Sequence, residues 1–235
     1  MRDATYYFGF IENNPASDLQ IPRALSFEVK KNDITHIYSK EEIERILIRF
    51  KKNKTFIYSF LTACYIGMRT GEVFALTWKD VDFENRTIRV NKTVYCKIKN
   101  NKGRWFLGTT KTESSSRIIY ISDTLYKILS KFKEYQNINR KLYKSKYKYY
   151  HLEQVKNKCG KLIEYKIIEG KNKNNKVEMI FVKKDGTYVG TDITKYSYRI
   201  IHNELKINCR FYDLRGSFAT KVLRSGIEIK DISTD

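Results

Sequence analysis

The chain has 235 residues, 46 of them lysine or arginine against 26 aspartate or glutamate, for a formal net charge of +20. Its 41% hydrophobic and 14% aromatic content supports a real core and excludes a disordered chain, while the charge calls for a polyanionic partner. No apolar run reaches the roughly 18 residues needed to span a bilayer and no signal-like core follows Met1, so a membrane is excluded and the cytoplasm is expected.

The stretch over 1–34 forms no amphipathic repeat; Asn14-Pro15 closes a turn there, and the stretch reads as the end of a separate unit. Ser39-Lys-Glu-Glu42 is a capping box ahead of Ile43, Ile46, Leu47 and Phe50, which predicts a helix over about 40–52. A second helix, over about 55–66, carries Phe56, Ile57, Phe60, Leu61 and Cys64 on one broad face, the mark of a core helix. Gly67 then turns the chain, and a short helix holding Glu72, Val73 and Leu76 follows. β-branched alternation predicts short strands over about 87–90, 94–98, 105–109 and 117–121, forming one small antiparallel sheet with Lys111 near its last turn.

Leu125, Ile128, Leu129 and Phe132 predict a helix over about 123–135. A Lys/Tyr-rich insertion, about 136–184, then interleaves Lys141, Lys144, Lys146 and Lys148 with tyrosines. That pattern either tracks a phosphate backbone or is simply a solvated, extended segment. Thr191-Asp192 opens a helix to about Leu205, and Asp213 opens another that ends at Gly226. The architecture expected is α+β, mainly helical, with a small antiparallel sheet from about residue 35 onward. Cys64, Cys96, Cys159 and Cys209 and the histidines His36, His151 and His202 show no metal-ligand spacing, so neither a metal nor a cofactor is expected.

Three distant segments each present a cation suited to one phosphate: Gly67-Met-Arg69-Thr-Gly-Glu72, Thr110-Lys111-Thr112 and Tyr212-Asp-Leu-Arg215. Arginine offers a planar fork matching two phosphate oxygens, whereas lysine is a mobile point charge that can release a proton. Arg69 leaves the end of a buried helix between two glycines, and Glu72 is placed to orient an arginine. Arg215 lies in the first turn of a helix, whose backbone N–H groups also attract anions. Arg117 reads as a strand-end phosphate contact. These residue types together suggest phosphoryl transfer.

The order and wording of the segments resemble the catalytic domain of the tyrosine recombinases, the phage-type integrases of mobile elements, over roughly residue 38 to the end. The resemblance implies a catalytic domain over 35–235 with a three-stranded sheet, preceded by the remnant of a core-binding domain and linker. It further implies that Arg69 and Arg215 hold the non-bridging oxygens, that Lys111 protonates the leaving 5′ oxygen, and that Glu72 supports. Site-specific strand exchange on double-stranded DNA through a 3′-phosphotyrosyl intermediate is the implied reaction, without metal or nucleotide, in a homo-oligomer on DNA. Tyr212 stands where the family has histidine; a phenol can bond a phosphate oxygen but is no near-neutral acid–base group, so catalytic and positioning roles are both open. No tyrosine follows Arg215, and none is assigned as nucleophile; both ends read as truncated. Two other readings stand beside this one: a shortened relative that binds DNA without cutting it, and a general basic nucleic-acid-binding module.

Overall fold

A computed structural model of the protein describes residues 35–99, 102–109, 116–170 and 175–224. The expected remnant over 1–34, the turn lysine Lys111 and the helix end at Gly226 lie outside the described residues.

Helix α1, Lys40–Arg49, starts at the predicted capping box, with the Glu42 amide donating to Ser39 Oγ at 3.2 Å and the Ser39 amide to Glu42 Oε2 at 2.9 Å. Asn53 caps α2, Lys54–Ile66, whose Phe56, Ser59, Phe60 and Ala63 are buried. Gly67 closes that helix in the left-handed conformation, φ 58°, and α3, Thr70–Ala75, follows at once. A single 3₁₀ turn, Trp78–Asp80, leads into β1, Val81–Asp82.

The strands fall into two sheets instead of one. β1, which lies outside the predicted strands, joins β2 (Thr87–Val90) and β5 (Arg117–Tyr120) in a three-stranded antiparallel sheet, in register Val81 to Ile88 and Ile88 to Ile119. The hairpin of β3, Lys92–Lys99, and β4, Lys102–Thr109, instead joins a five-stranded sheet of order β3-β4-β7-β6-β8. Its other members are β6 (Tyr150–Lys156), β7 (Leu162–Glu169) and β8 (Lys176–Val177). Much of the Lys/Tyr-rich segment is therefore ordered sheet, with Tyr150, Ile167 and Val177 buried in the same core as Val94 and Leu107.

Helix α4 runs Asp123–Tyr143, two turns past the predicted end. Those turns carry no hydrophobic inward residue; Gln136 and Asn139 are buried instead. Gln136 accepts from Trp78 Nε1 at 2.7 Å and donates to the carbonyl of Ile180, so both ends of its amide are bonded. Helix α5, Asp192–Ile200, ends in one π-type turn over Ile201–Leu205, and α6 spans Asp213–Arg224. The core centres on aromatic side chains of four segments: Phe132 of α4 lies 5.9 Å from Phe181 and 4.3 Å from Tyr58 of α2, and Phe74 of α3 lies 5.8 Å from Phe181. Among the described residues no helix is long and apolar enough to cross a membrane.

Candidate functional site

Arg69, Glu72, Arg117 and Arg215 gather around the turn between α2 and α3. The turn exists because Gly67 adopts φ 58°, which L side chains rarely tolerate, and because a Cβ there would come within 2.4 Å of Phe218 on α6. Gly71 is held as closely: a Cβ would meet Thr93 Oγ1 of β3 at 2.4 Å. The two glycines that flank Arg69 thus let α6 and β3 approach it from two sides.

Arg69 is the residue before α3, and Glu72, three positions on, folds back beneath it. The Arg69 amide donates to Glu72 Oε2 at 2.9 Å, and Arg69 Nη1 donates to Glu72 Oε1 at 3.0 Å. From β5, Arg117 brings its fork to the same carboxylate, Nη2 to Oε2 at 2.8 Å and Nη1 to Oε1 at 3.4 Å. The Glu72 side chain is only 3% exposed, whereas Arg69 is 52% and Arg117 23% exposed. Glu72 therefore sits behind two guanidiniums, and Arg69 faces outward.

Burial acts to raise the Glu72 pKa, yet hydrogen bonds from Arg117 and Arg69 outweigh it and hold the carboxyl below its ordinary 4.5. A depressed folded-state pKa means that this stabilisation is complete above the ordinary value and is lost as pH falls through the folded one. The Glu72→Gln variant is expected to unfold more readily than the parent at neutral pH, with the gap narrowing as pH falls from about 5 to about 3. Denaturant titrations at several pH values check this; parallel stability curves for the two proteins would rule it out.

Arg215 arrives from the first turn of α6 and donates Nη1 to the Gly67 carbonyl at 2.7 Å. The Arg215 guanidinium is thus fastened to the same turn that delivers Arg69. The start of α6 is itself anchored, with buried Asp213 accepting the Arg210 amide at 2.7 Å and Ser217 Oγ accepting the Tyr38 amide at 3.0 Å. Tyr212, directly before α6, is 51% exposed.

The lysines of the Lys/Tyr-rich segment occupy a different stretch of chain. Lys141 lies in the last turn of α4 and Lys144 and Lys146 in the 3₁₀ turn after it, all three exposed, while Lys148 pairs with Glu169 at 3.1 Å. Reasoning from sequence missed the bond between Arg117 and Glu72, which lie 45 positions apart with no pattern linking them. It placed Glu72 behind an arginine without saying which; the i, i+3 spacing at the start of α3 brings Arg69 to it.

The phage integrase family model matches residues 37–234. A XerC-like tyrosine recombinase of Caldanaerobacter subterraneus is 26% identical over 231 residues, 96% of this chain and 53% of that protein. The integrase of Staphylococcus phage L54a is 46% identical over 65 residues, 28% of this chain and 18% of the phage protein. The chain spans about half the length of the first of these relatives. Among solved structures, the Tn1549 transposon integrase in complex with transposon right end DNA superposes with a TM-score of 0.62 at 16% identity, covering 94% of this chain and 62% of that one. The XerA recombinase gives a TM-score of 0.51 at 18% identity, over 92% of this chain and 58% of that one. At such identities the structural likeness speaks for the fold, and the sequence match for membership: the chain belongs to the phage integrase family, the tyrosine recombinases.

Proposed function

We propose that the chain grips a phosphodiester of duplex DNA between Arg69 and Arg215 and serves site-specific strand exchange by a mobile element. The observation that carries this reading is the bond from Arg215 to the Gly67 carbonyl, which ties a guanidinium from α6 to the turn that presents Arg69. Two fixed forks near one turn can take the non-bridging oxygens of one phosphate and stabilise the charge that grows on them as the phosphorus is attacked. In the reaction proposed, a tyrosine hydroxyl gives its proton to water as its oxygen bonds to phosphorus, the bond to the 5′ oxygen breaks, and Lys111 protonates that oxygen and is itself reprotonated from solvent. A 5′ hydroxyl of another strand then reverses the step.

The attacking tyrosine is assigned to none of the 18 in the chain. Tyr212, exposed beside Arg215 at the position where the family has histidine, is given the lesser task of donating a hydrogen bond to the bound phosphate. Residues 35–235 act as the catalytic domain, several copies assemble on the DNA in the cytoplasm, and Lys141, Lys144, Lys146 and Lys148 add non-specific phosphate contacts.

Fluorescence anisotropy with a labelled duplex tests the proposal. Arg69→Ala and Arg215→Ala are each expected to weaken binding roughly five- to twentyfold, since each removes a charge-assisted contact. Arg215→Lys, which keeps the charge but loses the fork, should fall between. Unchanged affinity in both alanine variants, with far-UV circular dichroism intact, would defeat the reading.

A further inference from the structure

The geometry points to Arg117 as a positioning residue that acts through Glu72 to keep Arg69 aimed outward and charged toward an anion. The inference rests on the reading of Arg69 as a phosphate-binding group. Glu72 accepts four bonds: two from the Arg117 fork, one from the Arg69 side chain and one from the Arg69 amide. A carboxylate offers about four lone-pair sites, so Glu72 is saturated. Arg117, less exposed than Arg69, turns its fork toward the carboxylate from behind.

Two consequences follow from that arrangement. The first is electrostatic: a buried carboxylate paired with Arg69 alone would cancel its charge, whereas with Arg117 present the three groups sum to one positive charge. The more exposed guanidinium, that of Arg69, carries the charge toward solvent. The second is geometric. Without Arg117, Glu72 loses two of its four donors and is free to turn more fully onto Arg69, drawing the guanidinium down from its outward pose. Arg117 thus governs phosphate binding from behind the carboxylate, and the direct DNA contact expected of it from the sequence gives way to an indirect one.

A double-mutant cycle on duplex affinity reads this coupling, using the full 235-residue chain, a labelled duplex of about 30 base pairs and anisotropy at several salt concentrations. Arg117→Gln is expected to weaken binding roughly three- to tenfold, and Arg117→Lys less, because lysine keeps the charge but loses the fork. The double variant Arg117→Gln with Arg69→Ala should bind within about twofold of Arg69→Ala alone, and the logarithmic salt slope should fall by about one phosphate in either single variant and by no more in the double. Multiplying effects in the double variant, with a slope lower by two phosphates, would mean that Arg117 contacts DNA itself and would overturn the coupling. So would a lowered melting temperature in Arg117→Gln and Arg117→Lys with unchanged affinity, which marks a purely structural residue. An affinity indifferent to Arg69→Ala would overturn this inference together with the phosphate reading beneath it, whereas additivity in the presence of an Arg69 effect overturns the coupling alone.

Discussion

Replacing Gly67 by alanine is expected to destabilise the protein by about 2–5 kcal/mol and to lower duplex affinity in whatever fraction still folds. Two effects add. Holding an L residue at φ 58° costs about 1–2 kcal/mol, and a methyl group forced to 2.4 Å from the Phe218 ring adds about 1–3 kcal/mol of overpacking. For a chain of this size that corresponds to a melting temperature lower by roughly 5–15 °C. The carbonyl that receives Arg215 belongs to the same residue, so relief of the clash by moving the turn or α6 also parts the two arginines. Thermal unfolding followed by circular dichroism checks the first half and anisotropy at low temperature the second. A Gly67→Ala protein with parental melting temperature would mean that α6 does not pack here as described.

The second large effect is expected from salt. With a formal charge of +20, binding to duplex DNA should be driven mainly by counterion release, so that affinity falls by about a thousandfold between 50 and 200 mM salt if about six phosphates are neutralised. Different duplex sequences should show the same steep dependence, because phosphate contacts fix position without reading bases. A logarithmic slope shallower than about 2 would show that the surplus charge is spread away from any continuous DNA-binding surface.

Much of the fold is legible in the sequence, for identifiable reasons. The capping box of Ser39 and Glu42, the apolar face of α2 and the glycine turn before Arg69 are local signals, written within a few residues, and local geometry carried them into the fold. Sheet membership was not legible, because β4 pairs with β7 some sixty positions away, as in Phe106 with Lys166, and nothing near either strand declares the partner. The lysine and tyrosine run just before β6 drew the whole segment toward a solvated reading and masked the inward alternation of Tyr150 with Leu152 on β6 and of Tyr165 with Ile167 on β7. The last turns of α4 escaped because Gln136 is buried by hydrogen bonding to Trp78 and Ile180 instead of by hydrophobicity. At the candidate site the cations were readable one by one as chemistry, but the carboxylate shared by Arg69 and Arg117 exists only once β5 is laid beside α3.

The two tryptophans make the division into sheets visible to light. Trp78 precedes β1 and is fixed by Gln136 beside the three-stranded sheet; Trp105 lies on β4 with its ring edge-on to Tyr188 and flat against Gly190, where even a Cβ would come within 2.6 Å. With only these two indoles in the chain, changing either one to phenylalanine leaves an indole emission, excited outside the tyrosine band, that reports on the surroundings of one tryptophan. Each half of the domain therefore carries its own optical reporter, and whether the two sheets melt together or in turn can be watched without attaching a dye.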